Sequence, residues 1–357
     1  MVKLSIIIGT RPEIIKLSPI IRLTNKKNSN IIFTGQHYDY DMGLKFIDEL
    51  ELRKPDFKLK LSNKNPAKQT GEMIKKLSQI LFNTKPDTVI VQGDTNSVLA
   101  GSIAALKSNI PTSHVEAGLR SFDWRMPEEH NRIIADHISE FLFAPTKISK
   151  NNLQNECVHG KIFVTGNTVI DAIEYNLKLA EKKSKVQLDD EFALLTLHRT
   201  ENVDDKKTLL DILNALIKSK QKIIFPIHPR TKKRLHQFGY YNKVKQATNI
   251  RLINPVGYFD MLVMMKKCQY ILTDSGGIQE EATSPKIRKK VIVLRKTTDR
   301  PETVSSGLAE LAGTSSKQIF NLIRKYSQDS SMSKIRTPYG NGSASRKIIH
   351  ILSRFYN

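Results

Sequence analysis

Short segments that are apolar over nearly their whole length recur along this chain, and longer helical patterns separate most of them. In the first half of the sequence these segments are residues 4–8, 31–34, 88–92, 112–115, 141–144 and 162–164. Strands that are apolar throughout, rather than at alternate positions, are covered on both faces, as in parallel sheets flanked by helices. The first half of the chain therefore predicts an α/β fold with a parallel sheet.

The second half repeats this alternation, with apolar segments at residues 193–197, 223–227, 250–252, 270–273 and 291–294. A chain of 357 residues exceeds the usual size of a single hydrophobic core. We therefore predict two Rossmann-like domains, residues 1–168 and 169–340, that face each other across a cleft holding the functional site. An amphipathic pattern within 341–357 predicts a last helix that packs back on the first domain.

The composition limits the class of protein. The two cysteines are too few for a disulfide framework, and the sequence has neither a run of about 18 apolar residues nor a signal-peptide pattern, so we predict a cytoplasmic protein without a membrane segment. The formal net charge of +22 is compatible with a polyanionic partner or with a solvated lysine-rich surface. Because the basic residues are scattered, we expect no specific nucleic-acid partner but an anionic small-molecule site, toward which this charge steers the ligand.

Three acidic residues lie where a strand ends or a helix begins. Asp94 follows strand 88–92, Glu116 follows strand 112–115, and Glu128 opens a helix. Open α/β sheets bind ligands at the carboxyl ends of their strands, so these acids are candidates for proton transfer. On the residues alone, a helix cap for Asp94 and a first-turn acid favoured by the helix dipole for Glu128 are equally good interpretations.

A glycine-containing turn, Asp274-Ser275-Gly276-Gly277, connects a strand to a helix. The glycines would let the backbone approach an anion closely, and Ser275 and the N–H groups of the helix start would donate to it. Glu281 lies one helical turn further on. It could accept hydrogen bonds from ribose hydroxyls, and a purely structural role fits its spacing equally well. A plain helix cap also explains the Asp and the Ser.

A second strand-to-helix turn carries Arg11, and Lys16 follows it in the helix. Cations at a helix start oppose the helix dipole, so a bound phosphate would explain them. The dinucleotide fingerprint and the P-loop are both absent from the sequence, which argues against a tightly bound nicotinamide or ATP. His114, His198 and His228 lie near strand ends without the spacing of a metal site, so no metal is expected.

Eight motifs occur along the chain in the order that they have in one enzyme family; they occupy residues 9–16, 36–37, 93–95, 114–120, 127–132, 198–202, 274–281 and 295–302. On these motifs the chain closely resembles the non-hydrolysing UDP-N-acetylglucosamine 2-epimerases over nearly its whole length. The resemblance implies a glycosyltransferase-B-type fold and the interconversion of UDP-N-acetylglucosamine and UDP-N-acetylmannosamine. It also implies a cytoplasmic homodimer that needs no cofactor and serves polysaccharide biosynthesis.

The chemistry of this reaction limits how it can proceed. The proton on C2 of the sugar is not acidic, which leaves transient oxidation or elimination of UDP from C1 with loss of that proton. The missing dinucleotide fingerprint argues against oxidation. Elimination to 2-acetamidoglucal, followed by return of UDP with C2 inverted, needs proton-handling groups on both faces of the ring and donors that hold the departing UDP.

The resemblance assigns roles residue by residue. The acidic catalytic positions are Asp94, Glu116 and Glu128, and the catalytic or phosphate-contacting histidine is His198. The substrate-binding positions are Arg11 and Lys16 as cations, Ser275, Gly276 and Gly277 as the diphosphate cradle, Glu281 as the ribose contact, and Arg300.

A possible regulatory site for a second UDP-N-acetylglucosamine is implied at Gln36 and His37. Asp39 and Lys68 stand where bacterial members often have Gln and Arg, so we expect activation by substrate to be altered or absent. One alternative is a hydrolysing relative that releases free N-acetylmannosamine and UDP. Another, from a different class, is a basic nucleic-acid-binding protein on a Rossmann-like scaffold.

Overall fold

The computed structural model describes residues 2–36, 40–63, 65–188, 191–328 and 337–356. It divides into two compact units, Met1–Ala172 with Tyr339–Asn357, and Ile173–Pro338. None of the described helices is both long and apolar enough to cross a membrane.

The first unit is built on a parallel sheet whose described strands lie in the order β3-β2-β1-β4-β5-β6-β7. The strands are β1 (Leu4–Ile8), β2 (Ser29–Phe33), β3 (Phe57–Lys58), β4 (Thr88–Gln92), β5 (Thr112–Val115), β6 (Phe141–Ala144) and β7 (Lys161–Val164). Because β1 pairs with both β2 and β4, the chain order reverses between β1 and β4. In such sheets a ligand crevice lies outside the carboxyl ends of the two strands at the reversal.

Helices with one buried face pack on this sheet. They are α1 (Arg11–Leu23), α2 (Tyr40–Glu49), α3 (Pro66–Thr84), α4 (Asn96–Lys107), α5 (Pro127–His137), α6 (Lys147–Asn155) and the first turn of α7 (Thr168–Lys183). Met73, Leu77 and Leu81 recur at a spacing of four residues, so they line one face of α3 and pack in one cluster with Val89 and Val91 of β4.

The second unit has a parallel sheet of its own, with described strands in the order β10-β9-β8-β11-β12-β13. The strands are β8 (Ala193–Thr196), β9 (Ile223–Pro226), β10 (Ile250–Ile253), β11 (Tyr270–Thr273), β12 (Lys290–Val293) and β13 (Ala309–Leu311). The helices are α8 (Thr200–Val203), α9 (Lys206–Lys218), α10 (Pro229–Gln237), α11 (Tyr241–Lys245), α12 (Tyr258–Lys267), α13 (Gly276–Ala282), α14 (Pro301–Ser305) and α15 (Ser316–Gln328). Here the order reverses between β8 and β11, the strands that precede His198 and Asp274.

The last helix, α16 (Ala344–Tyr356), belongs to the first unit. Its first backbone N–H groups, on Ala344 and Ser345, donate to the carboxylate of Asp171 at 3.1 and 2.8 Å. Near its other end, the ring of Phe355 lies 5.1 Å from the ring of Phe141 in β6. The C-terminal segment thus completes the core of the first unit from far along the chain.

The predicted fold class, α/β with two Rossmann-like parallel sheets, is confirmed. Several strand bounds differ from the predicted ones: β2 begins at Ser29 because that residue pairs with Leu4 across the sheet. The short strands β3 and β13 were not predicted, since two or three residues carry no hydrophobic period.

Candidate active site

Asp94 lies in the turn between β4 and α4 and forms an ion pair with Arg132 of α5. Gly93 has a φ of +84°, a left-handed conformation that suits glycine. The amide of Asn131, also on α5, donates to the backbone carbonyl of Asp94 at 2.9 Å. The carboxylate itself is about one-third exposed, so it is held in place and still reachable by solvent. The helix cap in this turn is Thr95 rather than Asp94, because the Thr95 hydroxyl accepts from the backbone N–H of Val98.

Glu116 follows β5 and is enclosed by two donors. The Lys16 ammonium contacts its two carboxylate oxygens at 2.7 and 2.6 Å. The side-chain amide of Gln92, at the end of β4, donates to it at 2.6 Å. Glu116 has a φ of +71°, which is uncommon outside glycine, and its side chain is only 3% exposed. Lys16, expected as a cation for the nucleotide, therefore lies against the candidate catalytic acid.

The third candidate acid, Glu128, is exposed in the first turn of α5. Its neighbour Glu129 is buried instead, where it accepts from the backbone N–H groups of Ser121 and Phe122 and pairs with Arg132 at 3.0 Å. Arg132 thus joins Asp94 to Glu129, whereas no described residue forms a hydrogen bond or ion pair with the Glu128 side chain. Sequence reasoning missed Arg132 and Glu129, although both lie within the 127–132 motif.

Glu13 is a further residue that sequence reasoning did not single out. It is buried at the start of α1, where its carboxyl group accepts from the backbone N–H groups of Gly9 and Thr10, both at 2.6 Å, and from the hydroxyl of Thr95. Burial raises the pKa of Glu13 from 4.5 to about 7, even though these donors lower it. Glu13 thereby joins the turn after β1 to the turn after β4.

The remaining candidates of the first unit have surroundings of their own. The guanidinium of Arg11 is 4.8 Å from the centre of the Phe46 ring. The side-chain oxygen of Gln36 accepts from the backbone N–H and the hydroxyl of Ser97, both at 2.7 Å. Lys68 is exposed in the first turn of α3. His37 and Asp39, the other regulatory positions, lie outside the described residues.

In the second unit, Asp274 is completely buried at the end of β11 and organises the turn after β8. It accepts from the backbone N–H groups of His198 at 3.0 Å and Arg199 at 2.9 Å, and from the amide of Asn202 at 3.2 Å. The Nδ1 atom of His198 lies 3.4 Å from the same carboxylate, while the side chain is 36% exposed. Asp274, which helix-cap chemistry also explained, is therefore an anchor for the candidate histidine.

His228, at the end of β9, lies beside His198 with ring centres 5.4 Å apart. Burial, and then the neighbouring His198, lower the pKa of His228 below its usual value. Histidines at neighbouring strand ends can contact one anion together, and the lowered pKa keeps His228 neutral in this role.

The glycine turn and Arg300 are connected through Asp299. A methyl group on Gly276 would lie 3.1 Å from the Asp299 carboxylate, whereas the nearest atom to such a group on Gly277 is Ser275 Oγ at 4.0 Å. The backbone of Gly277 is thus the open side of the turn. Arg300 contacts Asp299 at 3.2 Å and Glu280 at 2.5 Å.

These charges bear on Asp299 itself. Burial raises its pKa, but the cations Arg300, Arg295 and Arg199 hold it at about 2. Glu281, the expected ribose contact, is buried near the end of α13. Among the described residues, no group of three His, Cys, Asp or Glu side chains is arranged to hold a metal ion.

Comparison with known proteins places the chain in a family. A family model described as UDP-N-acetylglucosamine 2-epimerase matches residues 21–353. The UDP-N-acetylglucosamine 2-epimerase of Methanocaldococcus jannaschii is 47% identical, over 98% of this chain and 99% of that protein. A crystal structure of the M. jannaschii enzyme in complex with UDP-GlcNAc and UDP superposes with a TM-score of 0.85 at 46% identity, over 99% of both chains.

A structure of the Neisseria meningitidis UDP-GlcNAc 2-epimerase bound to UDP-GlcNAc is also similar, with a TM-score of 0.85 at 35% identity, over 99% of this chain and all of that one. The predicted glycosyltransferase-B-type fold class is confirmed by these likenesses. With matching motifs, fold and family model along nearly its whole length, the chain belongs to the UDP-N-acetylglucosamine 2-epimerase family.

Proposed function

We propose that this chain interconverts UDP-N-acetylglucosamine and UDP-N-acetylmannosamine without releasing the free sugar. The observation that carries the proposal is the pairing of Gln92 with Val115 in adjacent parallel strands. Because Asp94 and Glu116 follow these strands, two carboxylates lie at one edge of the sheet, each beside a cation. An elimination and re-addition at C1 and C2 needs such a pair of acid–base groups.

In the proposed reaction, one group removes the proton from C2 while UDP leaves C1, and 2-acetamidoglucal forms. UDP then returns to the same face of C1 while a second group protonates C2 from the other face. Asp94, Glu116 and Glu128 are the proposed acid–base groups. Glu116 already accepts from Lys16 and Gln92, which supports an ionised carboxylate before turnover, the state that a general base needs.

The leaving UDP needs donors that hold it between its departure and its return. We assign this role to the turn that contains Ser275, Gly276 and Gly277, whose open side is the Gly277 backbone. His198 is proposed to contact the phosphates or the reacting atoms, and Glu281 the ribose. Arg11, Lys16 and Arg300 supply positive charge, and the scheme uses no cofactor.

Proton NMR of the reaction in deuterated water tests this proposal. We expect UDP-N-acetylmannosamine carrying deuterium at C2, because the proton lost from C2 is replaced from solvent. Free N-acetylmannosamine as the main product would contradict the proposal and indicate the hydrolysing alternative. An inert protein that retains RNA or DNA in a salt-dependent manner would indicate the nucleic-acid-binding alternative.

Two variants test the roles of the acids. Asp94→Asn and Glu116→Gln should each lower kcat by roughly 10²–10⁴-fold, with a smaller effect on UDP binding, because each removes one proton-handling group. Glu72→Gln is the matched control, since Glu72 pairs with Lys76 on α3. Near-normal turnover by either variant would show that its acid has another role.

The regulatory site is a further proposal, in which activation by substrate is altered or absent. It is supported by Gln36, whose side-chain oxygen is already engaged by Ser97, and by the residues Asp39 and Lys68. Turnover of pure UDP-N-acetylmannosamine should begin without a lag. A long lag that trace UDP-N-acetylglucosamine abolishes would contradict this. The homodimer and the cytoplasmic location stay predictions, and sedimentation measurements would test the dimer.

A further inference from the structure

A buried histidine lies between the turns that carry the candidate acids. His114 is in the middle of β5 and is completely buried. Its Nε2 atom is 2.8 Å from the backbone carbonyl oxygen of Gly93, the residue before Asp94. Its Nδ1 atom is 2.7 Å from a carboxylate oxygen of Asp136, on α5. Both ring nitrogens therefore face oxygen atoms at hydrogen-bond distance.

The protonation of His114 depends on whether Asp136 is ionised. The other carboxylate oxygen of Asp136 accepts from the backbone N–H of Gly118 at 3.1 Å and lies 2.7 Å from the Arg120 guanidinium. Burial raises the pKa of Asp136, but His114 and Arg120 hold it below the usual value. Asp136 is therefore a carboxylate and accepts at both oxygens.

The geometry then specifies the protons on the ring. A carbonyl oxygen and a carboxylate oxygen can only accept hydrogen bonds, and a neutral imidazole has a single N–H. Each contact of 2.7–2.8 Å needs a hydrogen on the nitrogen. Both His114 nitrogens must carry one, which makes the ring an imidazolium.

The surrounding charges can support this cation. Asp136 contacts the His114 ring directly, and Arg120 contacts Asp136. Arg120 is in turn bound at 2.7 and 2.6 Å by Glu156, at the end of α6, and these four residues form one charged network. His137 lies 3.6 Å from Glu156 at the exposed end of this network. Two cations, His114 and Arg120, thus alternate with two anions, which is the condition under which buried charges are tolerated.

The network contacts both turns that carry candidate acids. Through the Gly93 carbonyl it holds the turn of Asp94, and through the Gly118 N–H it holds the turn of Glu116. Gly93, Glu116 and Gly118 all have positive φ angles, of +84°, +71° and +80°. Such left-handed conformations persist where surrounding contacts enforce them.

We infer that His114 is a doubly protonated residue in the folded protein and that it positions the turns of Asp94 and Glu116 relative to each other. It acts as a positioning residue, because its contacts are to Gly93 and Asp136 and not to a reacting atom. Its charge state follows from the contacts alone, and the kinetic consequence rests on the proposed function.

Nitrogen NMR of protein labelled with ¹⁵N in its histidine rings tests the charge state. The resonances of His114, identified by their loss in His114→Gln, should show two protonated ring nitrogens at about pH 7.5, because both nitrogens face acceptors. The ring of the exposed His159 gives a reference signal in the same spectrum. A His114 ring with one unprotonated nitrogen at about pH 7.5 would overturn the inference.

Kinetics of Asp136→Asn test the positioning role. An amide in this place keeps the shape but has one acceptor oxygen and no charge, so it cannot accept both from the His114 ring and from the Gly118 N–H and Arg120. The hold on the two turns should therefore weaken. We expect kcat to fall on the order of 10²-fold, with KM close to that of the wild type, because the acids are misplaced while the UDP-binding turn is intact. The exposed variant His159→Gln should keep the wild-type kcat. An unchanged kcat in Asp136→Asn would refute the positioning role.

The outcomes separate the two proposals. If the wild type turns over UDP-N-acetylglucosamine while His114 is neutral, the inference fails and the proposed function stands. If the wild type is inert while His114 is charged, the proposed function fails and the charge state stands. If Asp136→Asn does not fold, the wild-type nitrogen spectrum still decides the charge state, and the milder Glu156→Gln, at the exposed end of the network, replaces it in the kinetic test with a smaller fall in kcat.

Discussion

A buried carboxyl group, Glu13, connects two functional turns of the first unit. Its oxygens accept from the Gly9 and Thr10 backbone and from the Thr95 hydroxyl. Burial nevertheless outweighs these donors and raises its pKa to about 7. A single residue thus makes the stability of this region sensitive to pH in a range close to neutrality.

The sign of this dependence follows from the raised pKa of Glu13. Below about pH 4.5 Glu13 is protonated in both the folded and the unfolded protein. Between about pH 4.5 and pH 7 only the folded protein keeps this proton, so the stability that the proton provides is lost as the pH rises. The unfolding free energy of the wild type should therefore fall by about 3 kcal/mol more over this range than that of Glu13→Gln. Urea unfolding at a series of pH values measures both, and parallel curves would contradict the prediction.

Lys16 lies against Glu116 rather than standing alone as a nucleotide contact. If its main role is to hold Glu116, Lys16→Met should lower kcat by roughly 10²-fold or more, while the inhibition constant of UDP changes far less. Lys107→Met, on the exposed face of α4, is the control. A loss confined to UDP affinity would instead assign Lys16 to the phosphates.

At the scale of single elements, the candidate residues Arg11, Asp94, His198 and Ser275 lie just after the carboxyl ends of the strands where each sheet reverses its order. In the first unit these strands are β1 and β4, and in the second unit β8 and β11. The turns are joined in pairs by buried carboxyl groups, Glu13 in the first unit and Asp274 in the second. In the first unit Glu13 accepts from the Thr95 hydroxyl of the other turn, and in the second unit Asp274 accepts from the His198 and Arg199 backbone of the other turn. These contacts hold each pair of turns together.

The glycine turn before α13 gives a prediction at this scale. In Gly276→Ala the new methyl group would lie 3.1–3.2 Å from the Asp299 oxygens, which bind Arg295 and Arg300. We expect a loss of about 1–3 kcal/mol in the unfolding free energy of the second unit, as for other overpacked sites.

Gly277→Ala is the matched variant, because its methyl group has room. It should keep or slightly raise the stability, since alanine favours a helix. It should still weaken UDP binding if the phosphates approach the Gly277 backbone. Calorimetry of unfolding and of UDP binding measures both effects. Equal stability of the two variants would contradict the steric argument.

At the scale of the whole molecule, the chain leaves the first unit at α7 and returns to it at Tyr339. Tyr339, Ile348 and Leu352 of this last segment are completely buried. The first unit is therefore complete only when the segment from Tyr339 onward is present, and its stability depends on a helix far from its sheet in sequence.

Leu352→Ala tests this dependence. Removing a fully buried leucine side chain from α16 should lower the unfolding free energy of the first unit by about 2–5 kcal/mol. Leu311→Ala is the control, because Leu311 in the second unit is 40% exposed and should cost far less. Thermal unfolding followed by calorimetry would show whether the loss falls on one transition. An unchanged profile for Leu352→Ala would contradict the role of α16.

Much of the fold could be predicted because strands and helices are signalled by residues close together in sequence. Uninterrupted apolar segments indicated β1, β4 and β11, and their flanking glycines and acids indicated where functional turns begin. Short elements such as β13 and α8 were missed, since a few residues show no period. Strand bounds were also displaced by a residue or two, because they depend on the hydrogen-bonding partner in the next strand.

The sequence by itself determined the two α/β sheets, the positions of Asp94 and Glu116 after their strands, and the family. It could not say which charge pairs with which, since each acid has many cations to choose from in a chain with 57 Lys and Arg residues. Only packing brought Lys16 to Glu116 across 100 residues of sequence and placed the His114 ring between two acceptors. Such pairs depend on distances of about 3 Å between distant segments, and the tertiary structure alone sets those distances.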